Sequence, residues 1–122
     1  MKLEILQTPL SVIQIADFNE LDLTISPLFI ANTKDERSVV LPTEKVPALT
    51  LNREDGWRAL KIVGVLDFSL VGILAKIASL LAEQDISIFA VSTYNTDYIL
   101  IKEDKLAKTI SVLGDAGYTI SD

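Results

Sequence analysis

The feature that most constrains the fold is the alternation of hydrophobic period along residues 57–122. Trp57 to Val65 reads as a strand, with Leu60 and Ile62 on one side and Arg58 and Lys61 dividing between the faces, and Gly64 and Asp67 stop it. Leu70, Ile73, Leu74, Ile77, Leu80 and Leu81 then recur at helical spacing opposite Lys76, Ser79 and Glu83, and Ser69 stands where an N-cap belongs. From Ile86 to Thr93 the period returns to two, with Ile86, Ile88 and Ala90 on one face and Ser87, Phe89 and Val91 on the other. A turn at Tyr94-Asn95-Thr96 leads into Asp97 to Lys102, which predicts a hairpin. Leu106, Ile110 and Leu113 mark a second helix stopped by Gly114 or Gly117, and Tyr118-Thr119-Ile120 is a short last strand. The order is βαββαβ, a ferredoxin-like α+β unit with an antiparallel sheet and both helices on one face.

The first half reads as an abbreviated copy. Leu3 to Leu6 and Ser11 to Ile15 are strand-like on either side of Pro9, and Asp17 is placed to cap a short helix carrying Phe18, Leu21 and Ile25. Leu28 to Ala31 and Ser38 to Leu41 flank the polar turn Thr33-Lys34-Asp35-Glu36, a second hairpin. Thr43 to Val46 leaves room for one helical turn before Pro47, and Ala48 to Leu51 is the expected closing strand. The polar run Asn52-Arg53-Glu54-Asp55-Gly56 separates the halves, so the expected modules are 1–56 and 57–122. A module of about 60 residues buries little surface alone, so the halves are expected to associate with each other or across a homodimer.

Composition narrows the chemistry. The 122 residues include no Cys and no His, which removes disulfides, thiolate or imidazole metal sites, Cys nucleophiles and imidazole-based triads. Neither a metal nor an organic cofactor is expected, and the chain is read as non-enzymatic because no base of near-neutral pKa can be named. A net charge of −6 argues against a nucleic-acid partner. An RNA-recognition module shares the element order, but needs stacked aromatics and basic residues on its sheet. No apolar run approaches the roughly 20 residues of a membrane span, and Met1-Lys2-Leu3-Glu4 puts an acid where a signal peptide is apolar. The simplest compartment is the cytoplasm.

Two segments are candidates for binding. Leu66-Asp67-Phe68-Ser69-Leu70-Val71-Gly72 joins the first strand of the second half to its first helix, and a helix start offers unpaired N–H groups to a carboxylate. Gly72 would let a ligand approach the backbone. As local structure alone, the same residues are a capped helix start in which Gly72 permits close helix–strand packing. The second segment, Ser92-Thr93-Tyr94-Asn95-Thr96-Asp97-Tyr98, carries more polar side chains than a hairpin turn requires. Asp97 suits an ammonium or guanidinium group. As local structure alone, it is an Asx-type turn bonding its own backbone.

The stretches Leu66 to Ala75 and Ile86 to Leu100 resemble the ACT-domain family. They are most similar to small bacterial tandem-ACT proteins related to the arginine sensor of the TOR pathway and to aspartate kinase regulatory domains. The first half is similar more loosely, through Leu3 to Leu6, the hairpin at Asp35-Glu36, and Asp55 to Arg58. The resemblance implies two ACT modules in tandem, the first abbreviated, and a sensor that binds an amino acid where modules meet and signals to an effector protein. It implies ligand contacts from Asp67, Phe68, Ser69, Leu70, Val71 and Gly72 on one side. On the other it implies Ile88, Phe89, Ala90, Val91, Ser92 and Thr93, with Tyr94 lining the site and Asp97 holding the ligand. The competing reading is an ACT-like structural or interaction module that has lost its ligand.

Overall fold

The structure is a computed structural model that describes residues 1–64 and 72–122. The chain divides into two compact units, one made of Met1–Gln7 with Arg58–Asp122 and the other of Thr8–Trp57. The second is inserted in sequence between the first strand and the remainder of the first. The expected modules are 1–56 and 57–122; in the structure Met1–Gln7 groups with Arg58–Asp122. β1 (Lys2–Ile5) sits with the C-terminal residues because it pairs antiparallel with β5 (Asn52–Ile62), Leu3 opposite Ile62, and parallel with β8 (Thr119–Ser121), Leu3 opposite Ile120.

In the C-terminal unit, the end of β5 is followed by α1 (Ile73–Ala82), β6 (Phe89–Ser92), β7 (Asp97–Lys102), α2 (Leu106–Asp115) and β8. The predicted βαββαβ order is present, and the strands lie in the order β6-β7-β5-β1-β8. The sheet is mixed rather than antiparallel throughout, since β1 is interposed between β5 and β8 and runs parallel to β8. Leu3, Ile5, Leu60, Ile62, Ile99 and Ile101 supply one sheet face, and Ile77 and Leu81 of α1 and Leu113 of α2 cover it in a single buried cluster. Both helices thus lie on one face.

α1 begins at Ile73, with Gly72 at the N-cap in a left-handed conformation, φ 81°. Ser69, expected as the cap, lies outside the described residues, as do Asp67, Phe68, Leu70 and Val71. The helix ends at Ala82, and three residues on Asp85 turns left-handed at φ 57°, with the Ile86 N–H donating to the Leu81 carbonyl at 3.0 Å. Lys108 donates to the Gln84 carbonyl at 3.1 Å and places its charge at the negative end of the helix.

The inserted unit has strand order β3-β4-β2-β5, with β2 at Leu10–Gln14, β3 at Phe29–Asn32 and β4 at Arg37–Pro42. Its expected hairpin is β3–β4, with Asn32 opposite Arg37. The helix expected after Asp17 does not form. The Asp17 carboxylate accepts the Asn19 N–H at 3.0 Å, and the Asp22 carboxylate accepts the Thr24 N–H at 2.9 Å. These short side chains offer the backbone turns in place of a helical ladder. The apolar positions behave as expected nonetheless: Phe18, Leu21 and Ile25 pack against the buried residues Ile13, Ile15, Val39 and Leu41.

The expected closing strand also moves. Ala48 to Leu51 is irregular, and β5 starts at Asn52 and runs through the polar residues read as a boundary. Pairing with β2 holds them, Ile13 opposite Arg53 and Gln14 opposite Asn52. The wholly buried Ser11 donates to the Asp55 carboxylate at 2.5 Å and lies 2.9 Å from the Thr43 hydroxyl, while Arg53 donates to the same carboxylate at 2.9 Å. Charge in this run marks an exposed strand rather than a linker.

The hairpins of the two units match element for element at an offset of sixty residues. β3 starts at Phe29 and β6 at Phe89, and β4 starts at Arg37 and β7 at Asp97. A 3-10 turn follows each, Thr43–Lys45 in one unit and Glu103–Lys105 in the other.

Candidate functional site

Of the first candidate segment, Gly72 alone is described. Its φ of 81° puts it in the region where L side chains are disfavoured, and among the described residues a Cβ there would meet nothing within 4 Å. Glycine is needed for backbone conformation, not for the tight packing considered from the sequence. Gly72 accepts the Lys76 N–H at 2.9 Å, the first bond of α1. Gly72, Ile73 and Lys76 line a cleft of about 390 Å³ with Met1, Ala116, Gly117 and Tyr118. None of the β6–β7 candidates is among that lining. Sequence reading missed Met1 and Ala116 to Tyr118; the one signal was Gly117, read as a helix stop.

The second candidate segment forms the β6–β7 turn. Ser92 is opposite Asp97, Val91 opposite Tyr98, Ala90 opposite Ile99 and Phe89 opposite Leu100. Phe89, Val91 and Asp97 are half-buried, whereas Ala90, Ser92, Thr93 and Tyr94 are exposed. Ile88, placed on the ligand side by resemblance, packs against the buried cluster beneath α1 and α2.

Threonines close the turn. The Thr93 N–H and hydroxyl donate to the Thr96 carbonyl at 2.8 and 3.0 Å, and the Thr96 N–H reaches the Thr93 hydroxyl at 3.4 Å. This is the Ser/Thr counterpart of an Asx turn, and it leaves Asp97 out of the local bonding. Among the described residues, none forms a hydrogen bond or ion pair with the Asp97 carboxylate. The carboxylate is thereby available to accept charge-assisted bonds from a cation. Among the described residues no group of three or more acids is placed to hold a metal ion, and no helix is long and apolar enough to cross a membrane.

Three comparisons bear on the identity of the chain. The human protein named cytosolic arginine sensor for mTORC1 subunit 1 is 40% identical over 83 residues, covering 62% of this chain and 25% of that protein. The mouse protein of the same name is 39% identical over the same length. The chain thus spans about a quarter of the length of these curated relatives. Among solved structures, an Agobacterium tumefaciens protein superposes with a TM-score of 0.87 at 28% identity, covering 99% of this chain and 92% of that one. The ligand-free regulatory subunit of aspartate kinase from Thermus thermophilus superposes with a TM-score of 0.66 at 12% identity, covering 94% and 96% of the two chains, a likeness of fold. The ACT-domain family model matches residues 52–115, from the start of β5 to the end of α2, and the chain belongs to the ACT-domain family.

Proposed function

We propose that this protein is a non-catalytic regulatory module that binds a free α-amino acid, with L-arginine the first candidate. The observation that carries the reading is the Asp97 carboxylate, half-buried after a turn that satisfies itself through Thr93 and Thr96 and bonded by no described residue. An acid in that setting receives an ammonium or guanidinium group, and each charge-assisted bond contributes about 1.5–3 kcal/mol. Thr93 and Tyr94 flank the ligand, and Phe89, Ala90, Val91 and Ser92 form the strand edge beside it. The resemblance assigns the carboxylate end of the ligand to the segment Asp67, Phe68, Ser69, Leu70, Val71 and Gly72, next to the start of α1, where helix N–H groups are unpaired. The name of the curated relatives supports the choice of arginine and a cytoplasmic location.

We read the inserted unit as an abbreviated second ACT module, a reading supported by the sixty-residue offset of its hairpin. β6 is hydrogen-bonded to β7 alone among the described strands, so its outer edge suits a second copy of the chain. An effector protein would read the liganded state.

A thermal-shift screen of the twenty amino acids tests the reading. Ligand at about 100 times its Kd adds about 2.7 kcal/mol of stability, so one amino acid is expected to raise Tm saturably. Asp97→Asn is expected to abolish that rise while keeping the unliganded Tm near wild type. No response to any amino acid at millimolar concentration contradicts the proposal and favours a ligand-free interaction module.

A further inference from the structure

We infer that Thr96 is a positioning residue of the proposed site, its buried hydroxyl fixing the turn that presents Asp97; the inference rests on reading Asp97 as a ligand contact. Thr96 is 3% exposed although Thr93, Tyr94 and Asn95 beside it are all exposed. Its Oγ1 donates to the Ile62 carbonyl at 2.7 Å, at the end of β5. Ile62 is wholly buried in the core beneath the helices, so the turn is pinned to a close-packed part of the unit.

Closing the turn does not require this bond, and the inserted unit supplies the comparison. There the Thr33 N–H and hydroxyl donate to the Glu36 carbonyl at 2.9 and 3.3 Å, and the Asp35 and Glu36 N–H groups reach the Thr33 hydroxyl at 3.2 and 3.1 Å. The register is equivalent, Asn32 opposite Arg37 as Ser92 is opposite Asp97. Yet the residue matching Thr96 is Glu36, which is exposed. A leading threonine is therefore enough to close such a turn. The fourth position of the β6–β7 turn is spent instead on an anchor immediately before Asp97. Fixing that backbone beforehand reduces the ordering cost when the carboxylate meets a cation.

Thr96→Val keeps the side-chain shape and removes the hydroxyl, and Thr96→Ser keeps the hydroxyl. Two quantities are read for each: affinity for L-arginine by calorimetry, and amide hydrogen exchange at Tyr94, Asn95 and Asp97 without ligand. The valine variant is expected to bind L-arginine roughly tenfold more weakly and to exchange faster at all three amides. The serine variant is expected to stay within about twofold of wild type in both, because the bond is retained. Wild-type affinity in the valine variant, or unchanged exchange in it, overturns the inference. If the wild type itself binds no L-arginine, the arginine reading fails separately, and exchange still decides whether Thr96 positions the turn.

Discussion

Asp22 illustrates how much a short side chain governs in the inserted unit. Its carboxylate accepts the Thr24 hydroxyl at 2.6 Å and the Thr24 N–H at 2.9 Å, and these bonds, helped by the charge of Lys45, hold its pKa below the ordinary value of 3.8. A lowered folded-state pKa stabilises the turn above the unfolded value, and the contribution is lost as pH falls through the folded one. Carboxyl titration by NMR is expected to place Asp22 below an unbonded aspartate. In Thr24→Ala its pKa is expected to move back up. The same residue type shows where sequence reading stops. Asp17 looks identical as a helix cap and as a turn former, because both roles use a carboxylate accepting an N–H two or three residues ahead. Only the next turn of chain decides between them, and here Asp22 opens a second turn.

Among the elements, the legible ones were those whose pattern has one physical solution. Ile73, Leu74, Ile77, Leu80 and Leu81 can share a face only in a helix, and they pack against one core cluster. Ile77→Ala is expected to cost about 2–5 kcal/mol in urea unfolding, since the side chain is wholly buried between helix and sheet. A cost below about 1 kcal/mol would mean that α1 does not seat on this sheet as described. β5 was misread at its start because Asn52 to Gly56 carries no apolar alternation. Its strand character comes from partners distant in sequence, Gln14 and Ile13 in β2 and the hydroxyl of Ser11. Pairing of that kind leaves no trace in a local pattern. The Thr93–Asp97 turn was legible as a polar excess, but not the way its threonines divide the work.

Across the whole chain, the βαββαβ order could be read directly, whereas the membership of β1 could not. Lys2–Ile5 has its pairing partners at residues 60–62 and 119–121, so the interruption of the C-terminal unit by residues 8–57 is invisible until the register is known. The candidate site divides in the same way: Asp97 and Gly72 stand out in sequence, but the described lining of the α1 cleft includes Gly72 and none of the turn residues. The central claim is that an amino acid lodges against the Asp97 turn. An NMR titration of isotope-labelled protein with L-arginine tests this most directly. The account predicts saturable shift changes concentrated at the amides of Gly72 and of Thr93 to Tyr98. Saturable changes confined to the inserted unit, or none at any ligand concentration, would contradict it.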